Sequence, residues 1–282
     1  MSEYQERVAI VVGAGSGIGR ATARALAGHG AQLVLADLGC APDGSGSDPA
    51  VVDTTAAELR ALGANVVAHA IDASAPDAAG ALISAALERF GRIDFGVYAA
   101  GYHHERPLLR VTDDELARVL EVHLLGALRF GRELSRTLLA QKHGGSIVLA
   151  TASAAFLGSA GHSALASAAG GLVAYVRTAA VELRRQGVRI NALIPTARTR
   201  LTESLPLFTS IRADSLTPEH VAQVTLYLLS EAARDVQGEA IGVAGSRIYA
   251  FRHAETSGAF HDDVVPPTLA QIEAHWREVT RR

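Results

Sequence analysis

Apolar positions along the chain gather into short unbroken runs separated by longer stretches of mixed polarity. Arg7 to Val12 is one such run, rich in Val and Ile, and a glycine cluster followed by the helix-like IGRATARALAGHG comes straight after it. That spacing reads as strand, tight turn, helix. The pattern recurs. Gln32 to Asp37, Asn65 to Ile71, Ile93 to Ala99, Ser146 to Thr151 and Val188 to Leu193 are predicted as further strands, with helical stretches near 53–62, 77–90, 113–141 and 163–186 between them. Strands that are apolar throughout are covered on both faces, and connections long enough to hold a helix make them parallel.

The expected fold class is therefore α/β, a doubly wound parallel sheet of the Rossmann type, in a single domain over 1–282. Two stretches break the rhythm. GCAPDGSGSDP at 39–49 consists of turn formers and lies beyond the carboxyl end of the second strand, where ligands bind in such sheets. The irregular region at about 196–217 follows the sixth strand and is placed to cover the same crevice. After a helix at about 218–231 and a strand at Glu239–Ala244, the tail 247–282 reads as an extended arm at a subunit interface. A short helix at Leu269–Val279 closes it.

Apolar residues make up 49% and charged residues 20%, the balance of a globular chain rather than a disordered one. A net charge of −3 predicts neither nucleic acid nor an anionic membrane surface as partner. No apolar run reaches the roughly 18 residues of a membrane span, and MSEYQERVAIVVG carries no signal segment. Cys40 stands alone, which excludes an internal disulfide and points to the reducing cytoplasm. No spacing among the eleven His and Cys40 resembles a metal ligand set. Of the 26 basic residues a single one, Lys142, is lysine, so any chemistry that needs a lysine has one candidate.

The candidate ligand chemistry begins at Gly13-Ala-Gly-Ser16-Gly17-Ile18-Gly19, between a predicted strand and a predicted helix. Glycines there let bare backbone approach a pyrophosphate at a helix N-terminus. Asp37 ends the second strand, followed by Leu38, where a carboxylate accepts hydrogen bonds from the adenosine ribose and repels a 2′-phosphate. NAD is favoured over NADP.

Those residues, with Asp72 after the third strand, Ala99-Ala100-Gly101 after the fourth, Gly145-Ser-Ile-Val148 at the fifth and Asn191-Ala-Leu-Ile-Pro195 after the sixth, resemble the short-chain dehydrogenase/reductase landmarks in order. They span nearly the whole chain. The stretch at 37–52, Glu121-Val-His123-Leu-Leu-Gly126 and Ala197-Arg-Thr-Arg-Leu-Thr202 are similar to the hydroxyacyl-CoA dehydrogenase-like branch, which includes the dehydrogenase module of multifunctional β-oxidation enzymes and enzymes of steroid degradation. The resemblance implies that Asp72 approaches the adenine, that Ala100 and Gly101 pass beside the adenosine ribose, that Pro195 borders the cofactor and that Thr199 meets the nicotinamide carboxamide. Asp72 also reads as a plain turn residue, and Thr199 as one hydroxyl of a polar loop. Where the family places Thr and Asn to tie the first strand to the fourth, this chain has Val12 and Tyr98-Ala99, so the tie is absent at both ends.

In that family a Tyr, assisted by a Lys four residues on, exchanges the hydroxyl proton while hydride moves; a Ser holds the substrate oxygen and an Asn supports a water. Counted from Gly145-Ser-Ile-Val148, the Ser position is Ala152, the Tyr position Leu165, the Lys position Ala169 and the Asn position His123. No shift of register restores the set, since no Tyr occurs between Tyr102 and Tyr175. A His at 123 is common in the branch; a methyl, an isobutyl and another methyl cannot move a proton. Tyr102, His103, His104, His162, Ser163 and Ser167 are candidate replacements. Two expectations stand. One is an NAD-binding, non-catalytic subunit that forms a homo-oligomer or a hetero-oligomer with a catalytically intact paralogue through the helices at 113–141 and 163–186. The other is a dehydrogenase for a hydroxyacyl-CoA or steroid-like alcohol with a rebuilt site.

Overall fold

The computed structural model describes residues 2–212, 214–261 and 264–280. Two compact units are distinguished, one ending at Ala250 and one beginning at Phe251. The first holds one eight-stranded sheet in the order β3-β2-β1-β4-β5-β6-β7-β8. Its strands are β1 (Val8–Val12), β2 (Gln32–Asp37), β3 (Val66–Ala70), β4 (Phe95–Tyr98), β5 (Gly145–Ala150), β6 (Val188–Thr196), β7 (Ala240–Ala244) and β8 (Arg247–Ala250). Strands β1 to β7 pair in parallel, and β8 turns back antiparallel on β7.

Helices cover both faces, which is why β1 at the centre is apolar at every position and Val8 to Val12 are all buried. On one face α1 (Gly17–Gly28), α2 (Pro49–Ala61) and α8 (Pro218–Leu229) share a core in which Leu26, Leu59, Val221 and Leu228 meet the side chains of β1 and β2. On the other lie α3 (Ala78–Phe90), α4 (Asp113–Leu120), α5 (Gly126–Gln141) and α6 (Ser163–Leu183), with α3 packed on α5. A short α7 (Pro206–Thr209) sits in the irregular region after β6. Helix α6 is the one described helix long and apolar enough by composition to cross a membrane; here it packs against β6 as a layer of the fold.

The order of strands reverses between β1 and β4, so the connections leave their carboxyl ends in opposite directions and open a crevice there. The doubly wound fold class is as the hydrophobic pattern predicts; the differences are local. Helix α2 starts at Pro49, earlier than 53, because Asp48 accepts a bond from the Ala50 N–H and Pro49 sets the first turn. The predicted continuous helix at 113–141 is interrupted at Glu121–Leu125 by a wider i→i+5 turn between α4 and α5. Strand β6 runs on to Thr196, and Arg247–Ala250, expected to begin the arm, is instead the edge strand β8. In the second unit α9 spans Leu269–Thr280, with His261 edge-on to His275 at a centroid distance of 5.0 Å.

Candidate functional site: two joined pockets at the carboxyl ends of the strands

The first pocket lies over the carboxyl ends of β1, β2 and β4. Gly13, Ser16, Gly17, Ile18, Asp37, Leu38, Asp72, Ala100, Gly101 and Thr199, singled out from the sequence, all line it. The glycine-rich turn is there because no other residue fits. Gly13 has φ 81°, and a Cβ on it would stand 2.6 Å from the backbone at Ala99 and Ala100. Gly17 has φ 50° and faces the Thr199 methyl; a Cβ on Gly19 would run into the Gly13 carbonyl. The turn delivers the chain into α1, whose first turn has no acidic residue and whose Ser16 side chain leaves the first amides uncapped. Such an end is a site for negative charge.

Asp37 ends β2 with Oδ2 accepting from the Gly15 N–H at 2.8 Å and Oδ1 from the Gly39 N–H at 2.7 Å. Each carboxylate oxygen keeps a further lone-pair site for a hydroxyl donor. The residues present therefore fit the adenosine and pyrophosphate of a dinucleotide. Asp72 is more committed. Its Oδ1 accepts from Ser74 N–H at 3.0 Å and Ser74 hydroxyl at 2.5 Å, and its Oδ2 from Arg118 at 3.1 Å. Burial pushes this carboxyl up, but the Ser74 bonds and the Arg118 guanidinium outweigh it and hold it below the usual range.

Further residues line this pocket, of which the sequence marks the 39–49 loop and Tyr102 but not Arg118 or Arg200. Cys40 and Gly44 from the 39–49 loop, Tyr102, Arg118 and Arg200 all line it. The Tyr102 ring lies on Gly44, where a Cβ would come within 2.8 Å of it, and the His103 N–H donates to the Pro42 carbonyl at 2.8 Å. The pocket's volume is about 110 Å³. Gly44 at φ 86° was the available signal, a glycine placed where only glycine tolerates the turn and the ring.

The second pocket, a cleft of about 550 Å³, shares Ile18, Ala99 to Tyr102, Thr199 and Leu201 with the first. It gathers Ala152, Leu165, Ala169, His123 and Pro195 from four separate segments. Its walls are mostly apolar, with Leu157, Leu201, Leu205, Leu207 and Phe208 around the positions 152, 165 and 169. His123 stands on the wide turn between α4 and α5, its ring against Gly101, where a Cβ would come within 2.8 Å. Its Nε2 accepts from the Tyr102 N–H at 3.4 Å, which puts the proton of the neutral ring on Nδ1. Burial pulls its pKa down to about 4, with the neighbouring His104 acting in the same direction.

Of the candidate replacements, His103 and His162 line this cleft, ring centroids 6.0 Å apart, while His104 turns into a side recess toward Glu115. His162 Nδ1 lies 3.0 Å from the Ser159 hydroxyl and 2.9 Å from the Ala160 carbonyl, at the start of α6. Tyr102 is buried, and burial raises its phenol above the ordinary value, away from acid work near neutrality. Ser163 and Ser167 bond each other's turn, Ser167 hydroxyl to Ser163 carbonyl at 2.9 Å, and neither lines the cleft. Lys142 is at the far end of β5, closing α5 in a left-handed conformation at φ 61°. The missing polar tie leaves no orphan: Tyr98 is buried and its hydroxyl donates to the Val122 carbonyl at 2.9 Å, joining β4 to the turn that carries His123.

The profile of a family described as enoyl-(acyl carrier protein) reductase matches residues 13–245. A Mycobacterium tuberculosis protein named as a short-chain type dehydrogenase/reductase, Rv0148, is 34% identical over 99% of this chain and 96% of its own length. The mouse peroxisomal multifunctional enzyme type 2 is 30% identical over 98% of this chain, which spans 37% of that longer enzyme. Among solved structures, carveol dehydrogenase from Mycobacterium avium in complex with NAD is similar with a TM-score of 0.78 and 25% identity, over 87% of this chain and 99% of that one. With the strand order and the glycine-rich turn described above, these likenesses establish that the chain belongs to the short-chain dehydrogenase/reductase family, in its hydroxyacyl-CoA dehydrogenase-like branch.

Proposed function

We propose that the chain binds NAD(H) in preference to NADP(H) without performing the family's alcohol–carbonyl chemistry, as a non-catalytic subunit of a homo-oligomer or of a hetero-oligomer with a catalytically intact paralogue. Bound NAD would supply the hydride acceptor; the proton transfer that must accompany it is the chain's task. The observation that carries the proposal is the content of the second cleft at the three family positions. Ala152, Leu165 and Ala169 offer only hydrocarbon there, and the lone lysine stands at the other end of the sheet. General acid–base assistance is typically worth about 10²–10⁴-fold, and the oriented Ser is replaced as well.

Gly13 to Gly19, Asp37 with Leu38, Asp72, Ala100, Gly101, Pro195 and Thr199 are assigned to the dinucleotide, and the NAD-bound carveol dehydrogenase supports that assignment. The apolar walls of the cleft favour an acyl-CoA or steroid-like ligand. A groove between α5 and α6, where Leu125, Leu128, Tyr175 and Leu183 alternate with Arg129, Arg132, Arg136 and Glu182, supports association of subunits through those helices, with the segment after β8 as an additional contact. The lone cysteine supports a cytoplasmic location.

A second reading, an oxidoreductase with replacement groups, rests on His103 and His162 facing the cleft. One experiment separates them. The purified chain should give no NAD-linked oxidation of 3-hydroxyacyl-CoA esters or secondary alcohols. Placing Ser, Tyr and Lys together at 152, 165 and 169 should bring back a trace, and no single one of them should, because such groups act as a unit. Turnover by the unaltered chain that His103→Ala or His162→Ala abolishes would establish the rebuilt site instead.

A further inference from the structure

Arg200 bridges the first pocket. It follows β6 in a turn fixed by Thr202, whose hydroxyl donates to the Ala197 carbonyl at 2.6 Å and accepts from the Thr199 N–H at 2.9 Å. That turn separates two arginines. Arg198 points away, onto the carbonyls of Phe208 and Ile211, whereas Arg200 crosses the pocket. Its Nε donates to the Ser16 hydroxyl at 3.1 Å and its Nη1 to the Cys40 carbonyl at 2.7 Å. One side chain thus ties the segment after β6 to the start of α1 and to the 39–49 loop. Both of its partners are neutral, and among the described residues no carboxylate pairs with this half-buried guanidinium.

The electrostatics at this spot lean one way. The uncapped amides at the start of α1 carry positive partial charge, and the guanidinium adds a full charge beside Ser16 with no acidic residue in the first turn to offset either. Of the two carboxylates that line the pocket, Asp37 bonds Gly15 and Gly39 and Asp72 bonds Ser74 and Arg118. An anion of phosphate geometry is what a guanidinium and a helix start jointly accept, and guanidinium–phosphate bonds are about twice as strong as neutral ones. The space beneath, about 110 Å³, opens into the joined cleft of about 550 Å³, so the 39–49 loop that Arg200 fastens bears on the adenosine end of a dinucleotide laid across both.

We propose that Arg200 is the side chain that reads the dinucleotide pyrophosphate, exchanging its bonds to Ser16 and Cys40 for the phosphate oxygens and so releasing the 39–49 loop to seat over a phosphorylated ligand. The inference rests on the dinucleotide reading above and assigns to this one residue a preference for phosphorylated over unphosphorylated adenine ligands.

The test is calorimetric binding of NAD, ADP and adenosine to the whole chain and to Arg200→Gln and Arg200→Lys, with far-ultraviolet dichroism to check the fold of each. Arg200→Gln should weaken NAD and ADP about ten- to a hundred-fold and leave adenosine within about twofold. Arg200→Lys should keep most of the ADP affinity, and the salt dependence of ADP binding should flatten in Arg200→Gln alone. Equal ADP affinity in the unaltered chain and Arg200→Gln overturns the proposal, as does an equal loss for ADP and adenosine, which would make Arg200 a structural tie. If the unaltered chain binds none of the three ligands, the dinucleotide reading itself falls and takes this inference with it.

Discussion

Acid should unfold this protein partly through His123. The ring lies in the second cleft with its Nε2 accepting from Tyr102, and burial draws its pKa from 6.5 to about 4. In the unfolded chain the same imidazole protonates near 6.5. Folded-state pKa is the lower of the two, so the stabilisation is fully present above about pH 6.5 and is lost as pH falls through about 4. A shift of that size corresponds to on the order of 3 kcal/mol, a large part of the 5–15 kcal/mol by which domains are stable. The perturbation is His123→Gln, which keeps an acceptor for the Tyr102 N–H and removes the titration. Urea unfolding of both chains at pH 7.5, 6.5, 5.5 and 4.5 gives the stability difference at each pH. Groups common to both chains, the Asp72 and Asp94 carboxyls among them, cancel in that difference. The unaltered chain should lose about 2.5 kcal/mol relative to the variant between the first and last of these, the remainder of the shift being expressed below pH 4.5. A difference that stays flat across the series would refute the reasoning, because it would mean the ring takes up its proton in the folded chain as readily as in water.

Gly13→Ala combines a left-handed backbone with a Cβ 2.6 Å from the Ala99 and Ala100 backbone. It should cost on the order of 2–4 kcal/mol in denaturant unfolding and weaken NAD at the same time. Tyr98→Phe removes the buried bond to the Val122 carbonyl and should destabilise by about 1 kcal/mol, read as a lower urea midpoint with unchanged slope. Asp37→Ser removes the carboxylate that faces the ribose and should shift the NAD-to-NADP affinity ratio roughly tenfold or more toward NADP by calorimetry; an unchanged ratio would withdraw Asp37 as the selecting residue.

The parallel strands were legible because each is built on a run of apolar residues with few polar interruptions, a pattern that burial on both faces leaves in the sequence. Strand β8 was not, since Arg247, Ile248 and Ala250 are exposed and Tyr249 covers Gly242, so an edge strand carries no such run. The wide turn at Glu121–Leu125 was hidden for another reason. Its residues are ordinary helix formers, and the contact made there comes from 24 positions away, the Tyr98 hydroxyl that bonds Val122 and fills the space over Gly126. At the site, turn chemistry at Gly13 to Gly19 and the strand-end Asp37 could be read directly. The roof over the first pocket could not. It depends on Tyr102 meeting Gly44 and on Arg200 reaching Cys40, 160 residues apart, contacts that only the folded chain creates.

Lys142 has a practical consequence. It supplies the one side-chain amine of the chain and caps α5 before β5 begins, whereas the cleft opens where β5 ends. Six residues of strand separate the two, a distance of about 20 Å. A succinimidyl dye, a biotin or a surface tether directed at lysine therefore attaches at a single known side-chain position on the underside of the sheet. With the α-amine blocked, the molecule could be immobilised through Lys142 alone, with both pockets at the opposite end of β5.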